Sequence, residues 1–123
     1  MITRADKNLP LPKRLQFACA GFAAALRSEH SLRLHLLAAL VVFMVLIVFR
    51  PEPTWWALVA LTSTAVVAAE LFNTALERLA DLLHPEQHEQ IRIMKDCAAA
   101  AVLVASVGAL VVAAALAVHV LSR

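Results

Sequence analysis

Glycine is nearly missing from this 123-residue chain, which carries only Gly21 and Gly108. No glycine-rich phosphate loop, of either the P-loop or the dinucleotide type, can be written anywhere along it. Any nucleotide must be held by other means. Charge is also scarce: 16% of residues are charged and 62% hydrophobic, against roughly 25% and 45–50% in soluble domains. That balance excludes an ordinary soluble domain and assigns the chain to lipid. The two cysteines, Cys19 and Cys97, stand in apolar helical stretches without the paired short spacing of zinc or redox sites, and read as reduced small hydrophobes. Met1 to Pro10 is polar, and the basic Lys13 and Arg14 follow it instead of a short apolar core with a cleavage site. A removable signal peptide is therefore not expected.

What is present is helical periodicity followed by long apolar runs. Leu11, Leu15, Ala18, Phe22 and Leu26 share one helical face, with Lys13, Gln16 and Arg27 elsewhere. The segment 11–29 thus reads as an amphipathic helix lying in the membrane interface. Leu34 to Phe49 carries no Lys, Arg, Asp or Glu and is slightly short of the about 20 residues that span a hydrocarbon core. Arg33 and Arg50 can snorkel from its ends. Arg50-Pro51-Glu52-Pro53-Thr54 reads as a tight turn, and Trp55 and Trp56 after it as an interfacial anchor. A second span, about 55–82, contains Glu70 and Asn73. A third, about 93–121, is rich in small residues, Ser106 and Gly108 among them, that let helices approach closely. The expected fold class is an all-α membrane protein: a polar tail over 1–10, then one domain over 11–123 with a surface helix and three transmembrane helices, the first at about 33–49.

Nine of the eleven Lys and Arg residues precede the first span or lie between the second and third. By the positive-inside rule the N-terminus and the second loop are cytoplasmic and the C-terminus lies across the membrane. All acidic residues except Glu52 accompany the cytoplasmic half, so the chemistry is expected at that face.

Glu70, Asn73 and Glu77 are spaced i, i+3 and i+7 and occupy one face of the second span. A carboxylate inside a membrane is costly, and its default reading is functional, with an interhelical clamp as the plainer alternative. Glu29, before the first span, and Asp96, at the start of the third, fall at a similar depth. Glu29 and Glu77 together suit Mg²⁺, which takes a few hard oxygen ligands and completes its shell with water and phosphate. Lys95 and Asp96 are expected to open the third helix, placing an ammonium and a helix N-terminus at one spot attractive to phosphate. His84 and His88 are four apart, but Pro85 between them argues against a zinc site. His119 reads as interfacial or packing.

The run Glu70-x-x-Asn73-x-Ala75-x-Glu77, then Asp81, Glu86-x-His88 and Lys95-Asp96 with an Ala-rich continuation, resembles the prokaryotic diacylglycerol kinase family. The resemblance covers about residues 13 to 120 and extends upstream to Gly21, Glu29 and Arg33. It implies a membrane kinase that uses ATP and Mg²⁺ to phosphorylate a lipid hydroxyl in the bacterial inner membrane, as a homotrimer with active sites shared between subunits. It also implies that Glu70 is the general base and that Glu29 and Glu77 are metal ligands. Phe17, Gly21, Glu29, Asn73, Glu77, Glu86, His88, Lys95 and Asp96 would meet the nucleotide, and Glu70, Arg33, His35 and Ala99 the lipid.

Two branches of the family compete for the substrate. Arg33-Leu34-His35-Leu36 and Ala98-Ala99 resemble the branch acting on undecaprenol, whereas diacylglycerol is the family's broad activity and the expected substrate. A reading from another class is a small oligomeric proton or ion conduit lined by Glu70, Asn73 and Glu77. Against it stand Glu29, Glu86, His88 and Lys95-Asp96, gathered at one face where a conduit has no use for them.

Overall fold

The structure is a computed structural model and describes residues 9–83, 86 and 88–123. Most of the polar tail, and His84 and Pro85 on which the zinc argument turned, lie outside the described residues. Those described form four helices: α1 (Leu11–Ser28), α2 (His30–Phe49), α3 (Pro53–Leu83) and α4 (Glu89–Leu121). The last three are long and apolar enough to cross a membrane, and the protein is an all-α membrane protein.

Each boundary has a local cause. Pro10 is extended and Pro12 falls in the first turn of α1, where a missing N–H costs nothing. A single extended residue, Glu29 (φ −99, ψ 111), separates α1 from α2. Its N–H still reaches Ala25 O at 2.8 Å, and Arg33 Nη1 donates to Leu26 O and Arg27 O, each at 3.0 Å. Those two carbonyls would otherwise be orphaned at the end of α1. α2 ends on Arg50 in the left-handed region (φ 46, ψ 57), and the prolines at 51 and 53 prevent its continuation. At the start of α4, His88 caps the helix by accepting the Gln90 N–H at 3.2 Å.

α3 packs along α4 over the greatest length and also against α2, whereas α1 touches α2 and α3 more lightly. The apolar core lies at the turn end of the bundle: Leu46, Val59, Leu116 and Val120 are buried against Phe43, Trp55 and Val112. The same end is clasped by Glu52, which meets Arg123 at 3.2 Å and His119 Nε2 at 3.1 Å. The Trp55 and His119 rings lie 5.2 Å apart. Outward faces carry exposed Leu61, Val104 and Leu110, surface that lipid tails rather than water can solvate.

Candidate active site

At 1.5 Å of rise per residue, Glu70 sits about 22 Å along α3 from Trp55, and His35 about 22 Å along α2 from Arg50. The turn between those helices therefore brings the two residues to one level, still within a hydrocarbon core of about 30 Å. Glu70 is 1% exposed. Its Oε1 lies 2.6 Å from His35 Nδ1, and Ser31 Oγ lies 2.8 Å from both carboxylate oxygens. His35 Nε2 in turn lies 3.2 Å from Ser106 Oγ on α4. Three helices thus join at one buried carboxylate, and its lone pairs are met by a hydroxyl and an imidazole.

One turn further along α3, Asn73 Nδ2 donates to Glu77 Oε1 at 3.1 Å. Asn73 Oδ1 and Thr74 Oγ1 are buried with no partner. An orphaned hard oxygen beside a carboxylate is a donor set that suits Mg²⁺. Arg78, next to Glu77, donates to Ser28 Oγ at 2.7 Å, and that hydroxyl contacts Glu29 Oε1 at 2.9 Å. The Arg78 side chain therefore links the Glu77 segment of α3 to the α1–α2 corner that bears Glu29. Among the described residues, no cluster of three His, Cys, Asp or Glu side chains is arranged to hold a metal ion, so a cation there would rest on these two acids, the Asn73 oxygen and its own water or phosphate.

The expectation that Lys95 and Asp96 open the last helix is corrected. α4 begins at Glu89, so its free N–H groups lie about 9 Å before Lys95, because the His88 cap and the acidic Glu89 start the helix inside the polar loop. Lys95 reaches across to Asp81 Oδ1 at 2.5 Å, whereas Asp96 pairs with Arg92 at 2.7 Å, which also binds Glu89 at 2.6 Å. Lys95 and Asp96 thus face different partners. Glu86, His88 and Ala99 are exposed, Phe17 is half-buried, and Gly21 is exposed with open space where a Cβ would stand. Arg33 spends one nitrogen on the α1 carbonyls.

Ser31 and Ser106 were not among the expected site residues. A signal for Ser31 was present: Ser31 and His35 are four apart, a polar pair on one face of an apolar helix, as Glu70 and Asn73 are on α3. Ser106 has no such companion and reads only as a small packing residue.

Residues 16–117 match the family model described as prokaryotic diacylglycerol kinase. A diacylglycerol kinase of Synechocystis sp. is 38% identical over 98 residues, a match that covers 79% of this chain and 56% of that relative. The chain thus spans little more than half the length of the relative it matches.

Proposed function

The chain belongs to the prokaryotic diacylglycerol kinase family, and we propose from that premise that it transfers the γ-phosphoryl group of ATP to the hydroxyl of a membrane lipid, 1,2-diacylglycerol, giving phosphatidic acid. The observation that carries this reading is Glu70: a buried carboxylate already holding an alcohol, Ser31 Oγ, at 2.8 Å from both oxygens. That is the contact a general base makes with the hydroxyl it deprotonates. The lipid hydroxyl takes the place of Ser31 at Glu70, gives up its proton as its oxygen bonds to phosphorus, and ADP leaves.

Phosphoryl transfer asks chiefly for in-line positioning and charge neutralisation. Glu29, Glu77 and Asn73 Oδ1 would hold Mg²⁺, which when bound neutralises the phosphate oxygens. Lys95, released from Asp81, adds an ammonium on the phosphate chain, and Phe17, Gly21, Glu86, His88 and Asp96 surround the nucleotide. Arg33, His35 and Ala99 line the lipid side. The active site and N-terminus face the cytoplasm at the inner membrane, with α1 as an amphipathic helix on its surface. A single chain offers too little surface to enclose both ATP and a lipid, so the working unit is a homotrimer with shared sites. Crosslinking of active preparations is expected to give trimers, and monomers alone would contradict it.

Undecaprenol is the second candidate acceptor, favoured by the histidine at position 35. The deciding experiment is transfer from radiolabelled ATP, with Mg²⁺, to dioleoylglycerol or undecaprenol in detergent, beside Glu70→Gln. No transfer to either lipid refutes the kinase reading, and equal transfer by the Gln variant removes Glu70 as base. The ratio between lipids identifies the acceptor.

A further inference from the structure

Ser106 Oγ donates its one proton to Val102 O at 2.7 Å and lies 3.2 Å from His35 Nε2. With that proton committed, the serine oxygen is an acceptor, and His35 Nε2 carries the hydrogen of their contact. A neutral ring protonated at Nε2 shows a bare lone pair at Nδ1. Yet Nδ1 lies 2.6 Å from Glu70 Oε1, a separation two unprotonated acceptors do not hold. A proton therefore resides in that contact.

We infer that His35 is the positioning residue of Glu70: held by Ser106, it stands as an imidazolium against the buried carboxylate and keeps Glu70 ionised inside the membrane. The inference rests on the reading of Glu70 as general base and adds what makes that base usable. An isolated carboxylate at this depth is costly, and the paired cation removes that cost without a second acid or a metal. It also divides labour between the two oxygens. Oε1 meets the imidazolium, whereas among the described residues Oε2 is met by Ser31. Oε2 is accordingly the atom that takes the proton of the lipid hydroxyl while the new O–P bond forms and the bond to ADP breaks.

Several other charged groups on the packed elements are engaged elsewhere. Arg33 on α2 bonds the α1 carbonyls, Glu77 on α3 bonds Asn73, and Glu29 at the α1 corner bonds Ser28. On α4, Lys95 pairs with Asp81 and Asp96 with Arg92. Among the described residues, His35 is thus the basic side chain bonded to Glu70.

The test is nitrogen NMR of histidine-labelled protein in detergent at neutral pH, with the His35 signals assigned by their loss in His35→Asn. Both ring nitrogens are expected to be protonated in the wild type and the ring neutral in Glu70→Gln. A neutral ring in the wild type, or an unchanged charge in Glu70→Gln, overturns the inference. Kinetics gives a second readout. In His35→Asn the introduced amide can still donate to Glu70 from near the former Nδ1 position but carries no charge, so kcat is expected to fall at least tenfold with the lipid KM within about twofold. A raised lipid KM at unchanged kcat would instead mean that His35 acts on lipid binding alone and not through Glu70, and would defeat the proposal. If the wild type phosphorylates neither lipid, the kinase reading fails, and the ring charge still decides whether His35 and Glu70 form this pair.

Discussion

Arg78 on α3 donates to Ser28 Oγ at 2.7 Å, and Ser28 is the residue before Glu29. With a second bond from the same nitrogen to Ala24 O at 3.4 Å, it ties the second membrane helix to the corner from which Glu29 projects. Arg78→Met removes it while keeping the apolar stem. The bond is exposed and contributes on the order of 1 kcal/mol, so the fold should survive. The corner, however, should lose its register against Glu77. The expected outcome is a several-fold rise in the Mg²⁺ concentration needed for half-maximal activity, with the lipid KM unchanged. An unchanged Mg²⁺ dependence would show that Glu29 and Glu77 do not act as a pair.

Lys95 is held by Asp81 at 2.5 Å, and the proposed nucleotide contact requires it to change partner. Asp81→Asn should leave Lys95 available and lower the KM for ATP, by about twofold to threefold. Lys95→Ala should raise that KM at least tenfold. The exchange variant carrying Asp81→Lys and Lys95→Asp restores the pair in reverse. If Lys95 serves only to join α3 to α4, the exchange variant will be as active as the wild type; if it meets phosphate, the variant will be folded and impaired.

The two halves of the bundle differ in how far they could be read from residues alone. The turn at Arg50-Pro51-Glu52-Pro53, the three apolar helices and the anomaly of Glu70 are all local, because proline chemistry, run length and a carboxylate among apolar neighbours need no partner to be recognised. The His35–Glu70 contact and the Lys95–Asp81 pair depend on how each helix is rotated about its axis, which ridge-and-groove packing sets across the interface. The start of α4 at Glu89 escaped for another reason. Hydropathy marks where a helix enters lipid, whereas the helix itself begins earlier, where His88 can cap it.

Stability should reside at the opposite end from the chemistry. Leu116 is 2% exposed and packs with Leu46, Val59 and Val120, about 15 Å along α4 from Ser106. Leu116→Ala should cost about 2 kcal/mol or more through the cavity it leaves. The expected result is a lower unfolding midpoint in detergent, with kcat per folded molecule unchanged at permissive temperature. A fall in kcat that matched the loss of stability would mean that the two ends of the bundle are coupled.

The clasp at that end should be acid-sensitive. The backbone N–H of Glu52 is the largest influence holding its carboxyl below the ordinary value of 4.5, and His119 and Arg123 add to it against an opposing effect of burial. Because the folded state lowers this group's value, its contribution is complete above the unfolded value and is lost as pH falls through the folded one. The unfolding midpoint should therefore drop as pH falls below the ordinary value of 4.5, and less so in Glu52→Gln. Trp55 lies 5.2 Å from His119, so in a Trp56→Phe background its fluorescence should report the same opening. An acid profile identical in the wild type and Glu52→Gln would show that the clasp contributes nothing to stability.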